Sequence, residues 1–177
     1  MLSIFFLAHV VVTVWLIHFL GIRSPVHQAI PWIFAAAFTV TSVPQVARRL
    51  HRGGVLWRAL PALLYAGVIS LASSTTAGIS RAVSENPVHP VEFAALAFLG
   101  HYAAHAGLSP RLRGTRLLLV AGACVLFGAA DELHQALVPG RDSSVVDWLL
   151  DALGVALGTG LFAALQRLSR RIGRPQP

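Results

Sequence analysis

Six apolar stretches, each close to the length of a membrane-spanning helix, dominate this chain of 177 residues. A helix needs about 20 predominantly apolar residues, at a rise of about 1.5 Å each, to cross the hydrocarbon core of a bilayer. The stretches cover residues 2–20, 29–47, 56–72, 88–106, 117–138 and 145–165. We therefore predict an all-α, polytopic transmembrane helical bundle with six spans. The alternative is a four-span bundle in which the first two helices form a re-entrant hairpin.

The composition excludes several other classes of protein. Charged residues make up 12% of the chain and hydrophobic residues 55%, whereas charged residues make up about 25% of a soluble domain. An ordinary cytosolic enzyme is therefore excluded. The net charge of +7 comes from arginines that interrupt long uncharged stretches, so we expect no nucleic-acid partner. The single cysteine, Cys124, excludes an intrachain disulfide and a Cys-x-x-Cys motif.

The arginines concentrate in alternate loops and so predict an orientation. Eleven lie after the second, fourth and sixth stretches, and three lie in the other loops. The first group is Arg48, Arg49, Arg52, Arg58, Arg111, Arg113, Arg116, Arg167, Arg170, Arg171 and Arg174, and the second is Arg23, Arg81 and Arg141. Because short cytoplasmic loops accumulate positive charge, we predict that both termini are cytoplasmic. All seven acidic residues, Glu85 among them, then fall on the extracytoplasmic half.

Five of these acids are predicted to lie at one depth below the outer surface. Asp131 and Glu132 precede the end of the fifth stretch by about two turns, Asp147 and Asp151 lie in the first turns of the sixth, and Glu92 lies about one turn inside the fourth. Ionisable groups inside a membrane are costly and usually mark function or pairing. The shared depth therefore indicates a polar site.

Helical phase predicts that this site faces the protein interior. Asp147, Asp151, Gly154 and Gly158 share an arc of about 60°, and small residues spaced by four allow another helix to approach closely. This stripe therefore turns both acids inward. The expected members of one compact cluster are His89, Glu92, Asp131, Glu132, His134, Gln135, Arg141, Asp147 and Asp151.

Four motifs in this order resemble those of a known family. They are the helix ending in Ser73-Ser74, the run from His89 to Leu99, the Asp131 to Gln135 run followed by Pro139-Gly140-Arg141, and the helix bearing Asp147, Asp151, Gly154 and Gly158. Over about residues 60–165 they resemble the VanZ-like membrane proteins. Asp151 stands where that family usually has Asn.

The resemblance implies an organisation, a location and a role. It implies one membrane domain over residues 1–177, with an N-terminal helix pair at 1–55, a four-helix VanZ-like core at 56–166 and a basic cytoplasmic tail at 167–177. The implied location is the bacterial inner (cytoplasmic) membrane. The namesake phenotype is resistance to teicoplanin and related lipoglycopeptides. The expected partners are membrane lipids and a polyisoprenyl-linked cell-envelope intermediate or a lipoglycopeptide.

Catalysis is the first hypothesis for the cluster. Carboxylates and histidines held close together can exchange protons with a substrate, so Glu132, Asp147 or Asp151 is a candidate general base and His134 or His89 a candidate acid or base. The planar guanidinium of Arg141 is suited to an anionic group. The reaction would be hydrolysis or transfer on a lipid-linked intermediate. The residues expected to contact the substrate are Ser73, Ser74, His89, Glu92, Asp131 and Gln135.

Other interpretations of the same residues stay open. The cluster can bind a head group or a partner protein without chemistry. A divalent ion on His134, Glu132, Asp131, Asp147 and Asp151 is a further hypothesis, although no spacing matches a known metal motif and we predict no other cofactor. Arg141 can instead form a structural ion pair with Asp147 or Glu132, and His134 and Gln135 can satisfy a helix end. Transport is disfavoured because the acids stop at the outer half, and His101 and His105 do not extend the cluster.

Overall fold

All regular secondary structure among the described residues is α-helical. The computed structural model describes residues 2–19, 21, 25–74, 89–108 and 113–172. Arg23, Arg81, Glu85, Arg111 and Arg174 lie outside these ranges. The helices are α1 (Leu2–Phe19), α2 (Pro25–Ser42), α3 (Pro44–Arg52), α4 (Val55–Ser73), α5 (His89–Ala104), α6 (Gly114–Gln135) and α7 (Val145–Ile172). The all-α prediction is confirmed.

Four of these helices, α1, α4, α6 and α7, are long and apolar enough to cross a bilayer, and the bent pair α2 and α3 is a fifth candidate if it counts as one span. The chain is therefore a multi-pass membrane protein. Helix α5 has 16 residues, which corresponds to about 24 Å, and is the one predicted span that falls short of the usual length.

The second predicted span is not one straight helix. It breaks at Val43, whose φ of −69° and ψ of 121° are extended, and the two parts are bent by 93°. The cause is Pro44, because a proline disfavours the helical conformation in the residue before it. Pro44 then begins α3. The prediction of a continuous helix over 29–47 is wrong at this point.

Aromatic side chains join the N-terminal helices to α4. The rings of Phe34 and Tyr65 stack with centroids 5.4 Å apart, and the His9 ring packs edge-on against both. His9 also places Nδ1 2.9 Å from the carbonyl oxygen of Phe5. This mid-span histidine is thus part of the packing of the bundle.

Helix α5 is the central helix of the bundle. It packs against α4, α6 and α7, most extensively against α7. The backbone of α5 at Pro90 and Ala94 lies so close to Gly154 and Gly158 that neither glycine leaves room for a Cβ atom. These glycines therefore face the interior, as predicted. Since the paired residues increase together along both helices, α5 and α7 run parallel.

A tight turn between α6 and α7 brings the chain back over the end of α6. The backbone N–H of Arg141 donates to the carbonyl oxygen of Val138 at 3.1 Å, and Gly140 has a φ of 83°. Proline followed by a residue with positive φ is the signature of a type II turn. The Pro139-Gly140-Arg141 motif is therefore a turn that fixes the α6–α7 hairpin.

The two ends of the bundle carry opposite kinds of side chain. Arg58 Nε donates to the carbonyl of Ala103 at 3.3 Å, and Arg116 Nη1 donates to that of Ala104 at 3.0 Å. Both arginines thus satisfy carbonyl groups at the C-terminal end of α5, where cations are favoured. His89 begins α5 at the opposite end, and the acidic residues described below lie around it.

Candidate functional site

The best-defined polar contact in the buried region joins α5 to α7. Nδ1 of His89 lies 2.9 Å from Oδ1 of Asp151. His89 is 7% exposed and Asp151 is fully buried. Because α5 and α7 are parallel and meet at two glycines, the first residue of α5 and a residue in the second turn of α7 come to the same depth.

Glu132 of α6 completes this arrangement. One ligand atom each from His89, Glu132 and Asp151 lies within 4.8 Å of the others. Glu132 Oε2 accepts a hydrogen bond of 2.7 Å from the backbone N–H of Ser144. Its Oε1 is buried and has no hydrogen-bond partner among the described residues. We call His89, Glu132 and Asp151 the His–Asp cluster.

Ser144 links this cluster to the start of α7. Its hydroxyl oxygen accepts from the backbone N–H of Asp147 at 3.3 Å, as an N-cap residue does. Asp147 lies one turn before Asp151, and its Oδ1 is buried without a hydrogen-bond partner among the residues that the structure describes. Sequence reasoning missed Ser144, although a serine three residues before an acid at a helix start indicates a capping motif.

A second polar group lies between α4 and α6. Asp131 Oδ2 accepts hydrogen bonds from Ser73 Oγ at 2.7 Å and from Gln135 Nε2 at 2.8 Å. All three residues are buried. We call them the serine cluster. Asp131 and Glu132 turn to different neighbours because successive helical residues point about 100° apart.

The two adjacent serines of α4 have different surroundings. Ser74 is exposed, donates to the carbonyl oxygen of Ser70 at 2.6 Å, and lies 3.0 Å from Nε2 of His134. Together with Asp131 these residues border an open cavity of about 190 Å³. The structure thus divides the single expected cluster into the His–Asp cluster and the serine cluster, with His134 at the rim of the latter.

Glu92 and Arg141 take separate positions. Glu92, one turn after His89, lines a cavity of about 50 Å³ together with His9 and Tyr65. Arg141 is half-buried in the α6–α7 turn. His89 is therefore a member of the His–Asp cluster, and Glu92 lies one turn further along α5, at the wall of this cavity.

A glycine on α6 makes room for Asp151. A Cβ atom at Gly128 would lie 3.0 Å from Oδ2 of Asp151 and 3.1 Å from Cε1 of Phe93. Both distances are tighter than ordinary van der Waals contact, so a side chain here would displace the carboxylate. Sequence reasoning missed Gly128, although it lies one turn before Glu132 and therefore on the same face of α6.

An apolar groove lies near the start of α5, on the side of the bundle that faces α1. It has a volume of about 500 Å³ and lies between α1, α5 and α7. Pro90 and Val91, which follow His89, form one part of its wall, and Leu157, Leu161 and Leu165 form another. Because the groove is almost wholly apolar, it is suited to a hydrocarbon chain.

Two further histidines are buried toward the other end of α5. His101 Nε2 lies 2.8 Å from Oγ1 of Thr159, and His105 Nδ1 lies 3.1 Å from the carbonyl oxygen of His101. The His101 ring stacks on Phe162. They lie three to four turns along α5 from His89, in agreement with the expectation that they do not extend the polar cluster.

Comparison with known proteins identifies the family. A family model described as VanZ/LLP1 matches residues 6–166. The chain belongs to the VanZ/LLP1 family. The match runs from α1 into α7, so it is longer than the region of residues 60–165 in which the motifs indicated a VanZ-like protein. No curated protein and no solved structure matches the chain.

In this VanZ/LLP1 family member the matched region contains both polar clusters and most of the groove wall. In the serine cluster, one oxygen of Asp131 accepts hydrogen bonds from both Ser73 and Gln135. The bond from Ser73 joins α4 to α6. Among the described residues, the His–Asp cluster instead has buried carboxylate oxygens without a hydrogen-bond partner, and a bound ligand would satisfy them. It is therefore the better candidate for a functional site.

Proposed function

We propose that this protein recognises the head group of a polyisoprenyl-linked cell-envelope intermediate at the His–Asp cluster. The observation that supports the proposal is that consecutive residues at the start of α5 belong to a buried polar cluster and to an apolar groove, His89 to the first and Pro90 and Val91 to the second. A lipid with a polar head and a long hydrocarbon chain matches both surfaces at once. Arg141, in the turn above the cluster, would contact the anionic part of the head.

The proposal includes a location and an orientation. We infer a bacterial inner-membrane protein with six crossings and cytoplasmic termini, in which the His–Asp cluster opens on the extracytoplasmic side. The distribution of arginines supports this orientation. Arg58 and Arg116 at the end of α5 opposite His89 support it too.

The orientation is tested by cysteine labelling in intact bacterial cells. In a Cys124→Ala background, a membrane-impermeant maleimide should label Ser143→Cys, which lies in the exposed turn before α7. It should label Ile172→Cys, at the exposed end of α7, only after lysis. The reverse pattern would overturn the orientation.

Lipid binding is tested with purified full-length protein in detergent and a fluorescent short-chain polyisoprenyl pyrophosphate. The indole of Leu161→Trp would fill part of the groove and displace the hydrocarbon chain of the lipid. The loss of that buried apolar contact should weaken binding about tenfold or more. Leu168→Trp is the matched control, because Leu168 is similarly exposed on α7 but is not part of the groove wall. Equal binding by both variants would exclude the groove.

We extend the proposal to a resistance role of the teicoplanin type. A protein that holds the precursor can shield it from a lipoglycopeptide that binds the same molecule. Expression in a sensitive bacterial host should raise the inhibitory concentration of teicoplanin, and Leu161→Trp should abolish that rise. An unchanged inhibitory concentration with normal expression of the unmodified protein would remove this role.

Hydrolysis is the second candidate function, favoured by buried oxygens of Glu132 and Asp147 that have no hydrogen-bond partner among the described residues. In this reaction water attacks phosphorus, a carboxylate takes the proton of that water, and the P–O bond to the leaving phosphate breaks. His89 would give a proton to the leaving oxygen. Release of inorganic phosphate from polyisoprenyl pyrophosphate, and its loss in Glu132→Gln, would establish it, whereas binding without phosphate release supports recognition alone.

A further inference from the structure

We propose that His89, Glu132 and Asp151 bind one divalent cation of the Zn²⁺ or Mn²⁺ type. The proposal deepens the function given above, because a cation makes an acidic cluster compatible with an anionic head group. Only the role of the ion rests on that function. Binding of the ion at these three residues does not depend on that function.

The donor atoms have the spacing of ligands that share an ion. Zinc bonds to nitrogen and oxygen are about 2.0–2.2 Å long, so neighbouring ligands on one ion lie about 2.9–3.4 Å apart and opposite ones about 4.4 Å. Nδ1 of His89 and Oδ1 of Asp151 are 2.9 Å apart. All three donors fall within 4.8 Å of one another, so side-chain shifts of up to about 1.5 Å bring them to ligand distances on one ion.

Unsatisfied oxygen atoms are an independent indication of a ligand. Glu132 is 7% exposed and Asp151 fully buried, yet Glu132 Oε1 and Asp151 Oδ2 have no hydrogen-bond partner within the described part of the chain. Buried polar atoms in native proteins are almost always satisfied. A cation between the two carboxylates satisfies both.

The charge of the three donors matches a divalent ion. A neutral imidazole and two carboxylates carry a charge of −2, which is expensive to bury in a membrane protein. One divalent cation neutralises it. Mixed nitrogen and carboxylate donors favour Zn²⁺ and Mn²⁺ over Mg²⁺ and Ca²⁺, which prefer oxygen alone.

The surroundings of the three donors resemble those of metal ligands. The backbone N–H of Ser144 donates to Glu132 Oε2, and ligating carboxylates are commonly oriented in this way. With three protein ligands a coordination position stays open, as in catalytic zinc sites. Asp147 lies one turn before Asp151, and its buried Oδ1 has no hydrogen-bond partner within the described ranges, so it would accept a hydrogen bond from a water or head group bound at that position.

The test is metal binding by the full chain in detergent after treatment with a chelator. Zn²⁺ is counted by mass spectrometry and Mn²⁺ by electron paramagnetic resonance. We expect one ion per chain and an affinity lowered about tenfold or more in Glu132→Gln and in Asp151→Asn, by analogy with the loss of groups that support a metal site. Both changes keep the size of the side chain, and Asn can still accept a hydrogen bond from His89.

Asp142→Asn is the matched control, since Asp142 is exposed in the same turn region, and its affinity should equal that of the unmodified chain. A cooperative thermal unfolding transition verifies that each variant is folded. The ion should raise the midpoint of that transition in the unmodified chain and not in Asp151→Asn. No bound ion, or a bound ion that neither substitution weakens, would overturn the proposal. Metal binding without binding of polyisoprenyl pyrophosphate would overturn the proposed function and leave the cation site standing.

Discussion

His89 and Asp151 are separated by 62 positions in sequence and joined by a contact of 2.9 Å. This contact depends on the close approach of α5 and α7, in which Gly154 and Gly158 receive the α5 backbone at Pro90 and Ala94. The site and the packing of the bundle are therefore one structural arrangement.

Gly158→Ala should separate α5 from α7. The added Cβ would collide with the backbone of Ala94, and overpacking of this kind costs about 1–3 kcal/mol. The thermal unfolding midpoint in detergent should fall. Gly160→Ala is the control, because Gly160 has open space around it on the same helix. That change should leave the midpoint unaltered or raise it, since alanine favours helix by up to about 1 kcal/mol. Equal effects of the two substitutions would contradict the packing described.

Gly128→Ala should disturb the His–Asp cluster through Asp151. The new Cβ would lie 3.0 Å from Oδ2 of that residue, so the carboxylate must shift by a few tenths of an ångström. We expect the affinity for Zn²⁺ to fall about tenfold and the chain to stay folded. Gly122→Ala, on the same helix with nothing within 4 Å, should retain full affinity. A Gly128→Ala protein that binds Zn²⁺ as tightly as the Gly122→Ala protein would show that Asp151 is not held in this way.

Ser73→Ala should destabilise the protein more than Ser74→Ala. The first change removes a hydrogen bond of 2.7 Å to the buried carboxylate of Asp131, and hydrogen bonds to charged groups contribute about 1.5–3 kcal/mol. Ser74 is exposed and bonds mainly to the carbonyl of Ser70, so its loss should cost little. The free energy of unfolding in mixed micelles measures both. A larger effect at Ser74 would refute the different roles assigned to the two serines.

Thr159→Val should leave His101 without its partner while keeping the shape of the side chain. His101 is fully buried and its Nε2 lies 2.8 Å from the threonine hydroxyl. An unsatisfied buried polar group costs about 1–3 kcal/mol, so the unfolding midpoint should fall. Thr39→Val serves for comparison, because Thr39 is exposed on α2 and bonds only within its own helix. If both variants unfold alike, the His101–Thr159 contact does not stabilise the bundle.

Much of the fold was predictable because hydropathy and helical period are local properties. The existence and approximate lengths of α1, α4, α6 and α7 follow from long, predominantly apolar runs. The inward face of α7 follows from the spacing of Gly154 and Gly158. The bend at Val43 could also have been predicted, since Pro44 follows it. One span was predicted instead because the whole stretch is apolar.

The sequence predicted which residues lie near the candidate site but not which of them contact one another. The sequence assembled acids, histidines and serines at one end of the bundle, yet it did not separate Glu132, which faces His89 and Asp151, from Asp131, which faces Ser73 and Gln135. That separation depends on how α6 is rotated between α4 and α7. No pattern within α6 fixes this rotation.

The sequence by itself determined the helices, their apolar lengths, the segregation of arginines from acids and the glycine stripe. Each of these depends on residues at most two turns apart or on counts along the chain. Only the tertiary structure decided that His89, Glu132 and Asp151 meet, that Gly128 admits a carboxylate, that Ser144 orients Glu132, and that a groove opens beside Pro90. These relationships join residues up to 62 positions apart, and their distances are set by how three helices pack, which no single segment specifies.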